Sequence, residues 1–327
     1  MSSKTILPNG TTRHMGRKRA VAPAPRLSFK SYLQGAGVAL PTPPPSVDYS
    51  PAASAAISQM YLNDQLGDCV IAGMAHLVGL FTANAGQTPV VFTNAQLLAL
   101  YSAIGGYVPG NPATDNGCNE TDALNYWQNH GAPAGSHQIA GWLAVDPRNK
   151  TEVMQALWLF ENLIFGVELP DAWLNVTGSG FTWDAGTPNP NNGHCFVGTG
   201  YDSTGVKVST WGMLGTLTWQ ALTVDVGPQA GGELYVVLSQ DMINRATAKA
   251  PNGFNWGALA SDFAAIGGHL PVPVTPPPSP PPPAPAPPAP APPAPAPPAP
   301  PAPAPKAPPT QSQVLSAVTT AISNLYK

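Results

Sequence analysis

Apolar positions recur at helical spacing through the first half of the chain and alternate through the second. Val70, Ile71, Met74, Val78 and Phe81 fall near one face of a helix that starts at Cys69. Asp68 stands at its N-cap position and TANAG supplies a stop. A second helix is predicted in TNAQLLALYSAIGG, after Phe92, and a third in TDALNYWQNHG, closed by Gly131. KTEVMQALWLFEN is a fourth, passing directly into the strand-like LIFGVEL. From there the pattern has period two: HCFVGTGYD, GVKVSTWG, TLTWQALTVDV and ELYVVLSQD read as antiparallel strands. Helices first and strands later predict an α+β domain in two halves. PTPPPSVDYS, ahead of the first helix, reads as an extended lead-in.

Proline changes the picture of the ends. Of 42 prolines in 327 residues, most crowd into 271–309, where Pro and Ala leave nothing to bury. Such a stretch is predicted to lie as polyproline II, a semi-rigid spacer reaching about 120 Å at roughly 3.1 Å per residue. The foldable domain is then expected over 41–270, with an arm over 1–40 and a short amphipathic helix over 310–327. That helix carries Val314, Leu315, Val318, Ile322 and Leu325 on one stripe, a face that calls for a protein partner.

Charge separates the arm from the domain. Lys4, Arg13, Arg17, Lys18, Arg19, Arg26 and Lys30 make the first thirty residues basic, and no acidic residue precedes Asp48. All 17 acidic residues follow, so a basic arm precedes an acidic body. The composition predicts a disordered arm, or else a tail that docks on an acidic surface; nucleic acid is expected as a partner only through this arm. No apolar core follows the N-terminal charges as in a signal peptide, and no apolar run is long enough to span a membrane. Cys69, Cys118 and Cys195 are too few and too scattered in sequence for a disulfide framework or a zinc site. The expectation is a reducing setting, cytoplasmic or virion-associated, with no cofactor and no metal.

Candidate chemistry gathers at Cys69. A cysteine nucleophile acts as its thiolate, and a helix N-terminus favours that form. It also needs a base and a donor for the oxyanion. His194, at the head of an alternating strand, is the candidate base. A lone cysteine at a helix start more often packs than reacts, and His76 on the same helix reads as a core histidine. His130 and His137 read as turn residues, and the tryptophans at 142, 158, 173, 183 and 219 as core and cleft wall.

Five stretches in one order resemble the papain-like cysteine peptidases: SVDYS, the Cys69 helix, NGCNETDALNYWQNHG, EVMQALWLFENLIFGVEL, and HCFVGTGYD followed by VKVSTWG. The resemblance runs from about Val47 to Asp241. It implies a two-lobed α+β fold, with a helical lobe carrying the cysteine and an antiparallel sheet carrying the histidine. It further implies Cys69 as nucleophile and His194 as base, held as an ion pair. The oxyanion carboxamide falls on Asn63 or Gln65, with Gln65 favoured for its reach. Ser209 stands where the family has its orienting Asn, and Trp211 would shield that contact from water. Glu120, Cys195 and Trp211 would line the cleft.

Departures qualify the resemblance. Glu120 and Thr121 replace the glycines along which a peptide pairs, placing a carboxylate near the cleft that favours a cationic substrate. Leu66 stands where the usual disulfide partner of Cys118 would be, so that bond cannot form as in the family. Asp68 beside Cys69 would raise the thiol pKa unless it turns into the helix cap. The expected function is a thiol-dependent hydrolase, a cysteine peptidase working through an acyl-enzyme on amide bonds of a peptide or protein. The alternatives are a non-catalytic papain-fold binding or structural protein of a surface or virion, and an amidase or transglutaminase-like acyl transferase.

Overall fold

The computed structural model describes residues 3–19, 28 and 42–243. The expected Pro-Ala spacer, the C-terminal helix and the end of the domain beyond residue 243 lie outside the described residues.

Two layers meet in the core. Seven helices are described: α1 (Ser54–Ile57), α2 (Cys69–Asn84), α3 (Asn94–Gly105), α4 (Glu120–His130), α5 (Lys150–Phe160), α6 (Trp219–Asp225) and α7 (Gln240–Ile243). The main sheet takes the order β6 (Ile139–Ala144), β12 (Glu233–Ser239), β7 (Leu163–Glu168), β9 (Gly193–Tyr201), β10 (Gly205–Thr210), β11 (Met213–Thr218), β8 (Phe181–Trp183). The short β4 (Val47–Asp48) pairs with β9, so the lead-in segment is extended as expected. Neighbours are antiparallel except β11 and β8.

The predicted helices are present. Thr93 caps α3 in a capping box with Gln96, and Asn119 caps α4 by accepting from Thr121 N–H. Helix α2 differs from the one-sided helix its pattern suggested: every residue from Cys69 to Ala83 is buried. A helix buried all round is a central one, and Gly73 shows how close it lies. A Cβ there would stand 3.0 Å from Cys195 Sγ and 3.8 Å from a Val197 methyl, both on β9.

Two expectations change. TLTWQALTVDV is not one strand; it divides into β11 and α6, because Thr218 accepts from Ala221 N–H and caps a helix there. The arm, expected from its composition to be disordered, is ordered over residues 3–19. It forms a hairpin of β1 (Ser3–Ile6) and β2 (Thr12–Met15), then β3 (Arg17–Lys18), which pairs in parallel with β5 (Cys118–Asn119). Its cations dock on an acidic surface as composition allowed, but the surface is the chain's own. Arg17 meets Glu120 and Glu233, and Arg19 lies 3.7 Å from Glu168. Leu7 and Met15 bury their side chains alongside.

Candidate active site

Two walls and a floor position Cys69 at the start of α2. Gly67 N–H donates to the Asp115 carboxylate at 3.0 Å. The Tyr101 hydroxyl donates to the same carboxylate at 2.6 Å and accepts from Gly117 N–H at 2.7 Å. This network, which the sequence pattern did not indicate, ties the Gly67 loop to the Gly117 turn. Between them runs the arm. Gly16 is the residue of closest approach: a Cβ on it would overlap the Gly67 carbonyl, and a Cβ on Gly117 would overlap the Gly16 carbonyl. The Gly16 carbonyl accepts from Cys118 N–H at 2.9 Å.

Burial sets the charge state of the thiol. Cys69 is 1% exposed. Burial pushes its pKa up to about 12, and the carboxylates of Asp68 and Glu120 add to the rise. Hydrogen bonds from the backbone of Gly16 and Cys195 offset this only in part. The thiol is therefore neutral here, where the sequence predicts a reactive thiolate. Desolvation by burial outweighs the helix terminus. Asp68 occupies the N-cap position but makes no capping bond, and burial holds its carboxyl well above the usual range. Cys118 and Cys195, remote in sequence, are electrostatic neighbours of Cys69 in the fold. All three are free, and no cluster of metal-ligating residues is found among the described residues.

His194 lies at the head of β9, as predicted, and is buried. Its Nε2 is 2.8 Å from Thr210 Oγ1, and its Nδ1 has no hydrogen-bond partner among the described residues. Trp211 stacks on the imidazole with centroids 4.4 Å apart, and the Arg13 guanidinium lies 3.8 Å over the Trp211 ring. Burial lowers the His194 pKa to about 3, with the Arg13 charge adding to the effect. Thiol and imidazole are both neutral and share no hydrogen bond, so the expected ion pair is absent in this arrangement. Trp211 does cover the histidine as expected. It holds φ at +50° in a two-residue turn with Gly212, a left-handed conformation that favours glycine.

Ser209 is not the orienting residue. Its hydroxyl donates to the Ile57 carbonyl at 2.9 Å, and Thr210 takes the contact with the imidazole. Register is the cause. Ser209 pairs with Val197, which faces α2, so Ser209 faces α2 as well. Thr210 then shares the opposite face with His194 and Phe196.

The carboxamides also sort themselves. Asn63 is buried and its Nδ2 donates to the His14 carbonyl at 3.0 Å, so it grips a carbonyl of the arm. Gln65, the favoured donor on grounds of reach, is exposed and its side chain points to no cleft partner among the described residues. Glu120 and Cys195 are electrostatic neighbours of the thiol, but as buried groups rather than as an open lining. The cation beside Glu120 in this structure is Arg17 of the arm. His76 is a core histidine as expected, with Nε2 2.9 Å from the Gln59 carbonyl.

No protein family matches the chain, and no curated protein does. Among solved structures it is similar to xylellain, a cysteine protease from Xylella fastidiosa, with a TM-score of 0.51 at 16% identity over 68% of this chain and 95% of that one. It is also similar to digestive procathepsin L 3 of Tenebrio molitor larval midgut, at a TM-score of 0.45 and 12% identity over 64% and 78% of the two chains. The first likeness establishes the architecture: the chain has the papain-like cysteine-protease fold, in a divergent form.

Proposed function

We propose that the protein is a thiol-dependent hydrolase of peptide bonds whose cleft is occupied by its own N-terminal arm. The observation that carries this reading is the cleft's content: residues 14–17 lie across Cys69 as an extended peptide. Asn63 holds one of its carbonyls and Cys118 N–H another. In catalysis the Cys69 thiol would pass its proton to His194 and attack an amide carbonyl. Asn63 and the Cys69 N–H would hold the oxyanion. His194 would protonate the leaving amine and then activate water, with Thr210 fixing the ring through Nε2 and Trp211 excluding solvent. For this the arm must leave. Its departure hydrates the thiol and removes the Arg13 charge from beside His194, and both changes favour the ion pair.

A second reading, a papain-fold binding protein without turnover, is favoured by one observation: Nδ1 of His194 and the thiol are not joined. The test is to release the arm and follow hydrolysis of a small amide together with epoxide labelling of Cys69. Turnover lost in Cys69→Ser supports the hydrolase. Efficient labelling without turnover favours the binding protein.

A further inference from the structure

Arg17 is the most fully recognised side chain in the cleft, and its pocket has the chemistry of a receptor. Its Nη2 donates to Glu233 Oε1 at 2.5 Å, its Nη1 donates to the Gly231 carbonyl at 2.8 Å, and its Nε lies 3.9 Å from Glu120 Oε2. Glu233 is itself oriented, its Oε2 accepting from the Tyr235 hydroxyl at 2.5 Å. The floor is Gly166, which sits in the sheet between Glu233 and Cys195. A Cβ there would overlap the Glu120 carboxylate and stand 2.7 Å from Arg17 Nε. The pocket therefore exists because β7 carries no side chain at that point. Directly before Arg17, the slot around Gly16 has no room for a Cβ. A cavity of about 350 Å³ borders Arg17, Glu233 and Gly231, giving the pocket a way out to solvent.

Two acidic side chains buried this deeply need a cation. Burial and the neighbouring Glu233 push the Glu120 pKa up to about 8 even with Arg17 present, so the main partner of the guanidinium is Glu233. The distances agree, since Glu233 is much the nearer partner. A guanidinium from another peptide that took the place of Arg17 would meet the same Glu233 carboxylate and Gly231 carbonyl. The planar fork of arginine suits a carboxylate and a carbonyl side by side, whereas a lysine reaches one at a time.

We infer that the Gly166-floored pocket of Glu233 and Glu120 is an arginine subsite of the cleft, and that the protein binds extended peptides in which a glycine precedes an arginine. The arm's Met-Gly-Arg is then one such ligand, competing with external peptides. This rests on the hydrolase reading only in treating the cleft as a substrate site; binding itself needs no chemistry at Cys69.

The experiment uses the full chain carrying Cys69→Ser, which blocks turnover, and Arg17→Ala, which vacates the pocket. A fluorescent peptide of the sequence of residues 12–19 is titrated by anisotropy, beside one with citrulline in place of arginine at the Arg17 position and one with Gly16→Ala. The expected result is binding of the parent peptide, a loss of at least about tenfold for citrulline, and a comparable loss for the alanine peptide. Adding Glu233→Gln to the chain should abolish the preference over citrulline. Equal affinity for the arginine and citrulline peptides, or no binding of either, overturns the inference. Should Arg17→Ala be unfolded by circular dichroism, Arg17→Gln, which retains a donor for the Gly231 carbonyl, carries the same comparison. Discrimination without hydrolysis by the Cys69-containing chain would leave the subsite standing and refute the hydrolase.

Discussion

Gly16→Ala isolates what the arm does to the thiol. The substitution adds one methyl group and changes no charge. The backbone at Gly16 is not left-handed, so alanine is compatible with the local conformation and strained only by its surroundings. In the seated arm that methyl overlaps the Gly67 carbonyl, which the Asp115 bonds hold in place. The strand must shift, and with it go the Cys118 N–H bond to the Gly16 carbonyl and the seating of Arg17 against Glu233. A lost hydrogen bond is about 1 kcal/mol, and breaking a buried ion pair is about 3 kcal/mol or more. Even a loss of about 3 kcal/mol multiplies the open fraction by roughly a hundred, at 1.4 kcal/mol per tenfold. Iodoacetamide alkylation at neutral pH, mapped by peptide mass, reads this directly. Cys69 should label about a hundredfold faster than in the native chain, and its pH profile should move down from about 12 towards or below the free-thiol value of about 8.5. An unchanged Cys69 rate in a folded Gly16→Ala chain would refute the argument that the arm is what silences the thiol. Equal acceleration at all three cysteines with a lowered melting temperature would refute it too, since that pattern reports unfolding.

In an arm-released background, Thr210→Val should lower hydrolysis of a small amide by about tenfold to a hundredfold through a loosened imidazole. Ser209→Ala should cost about 1 kcal/mol of stability in chemical denaturation and leave the rate constant unaltered. Asn63→Ala should lower kcat by roughly a hundredfold or more if its amide holds the oxyanion, whereas Gln65→Ala should leave kcat unchanged; the reverse ranking would reinstate Gln65. Stability against pH should pass through a maximum near pH 6. His194 and His76, held to about 3 and about 4, contribute stability that is complete above the ordinary histidine value and is lost as pH falls towards their folded values. Glu120, held up at about 8, contributes stability that is complete below the ordinary glutamate value and is lost as pH rises to 8. Urea midpoints across pH 4 to 9 check this, and Glu120→Gln should lessen the fall above the maximum and steepen the rise below it.

Local pattern was enough for most elements of the domain. The Cys69 helix, the helix after Phe92, the helix-to-strand passage into β7 and the alternation of β9 and β12 all rest on near-neighbour spacing, which is why they could be read directly. The order of those elements also sufficed to point to the two-lobed architecture, with a cysteine at a helix start and a histidine on a strand. Thr210 shows where local pattern stops. Ser209 and Thr210 are adjacent on a strand, so only one can face His194, and which one depends on the register between β9 and β10. Lys207 pairs with Gly200 but Val208 pairs with Gly198, so a bulge at Thr199 shifts the ladder by one residue. Without that bulge Ser209 would have faced the imidazole, as the sequence alone suggested; a one-residue slip exchanges the faces of every side chain beyond it. The arm was illegible for a related reason. Its residues carry neither helical nor alternating pattern, because partners remote in sequence order them: Arg17 by Glu120 and Glu233, Gly16 by Gly67 and Gly117. The same long-range packing brings Cys118 and Cys195 up to Cys69 and leaves the thiol buried and neutral. Residue types and their spacing thus determined which groups could do chemistry; burial, register and the docking of the arm decided their charge states and contacts in this structure.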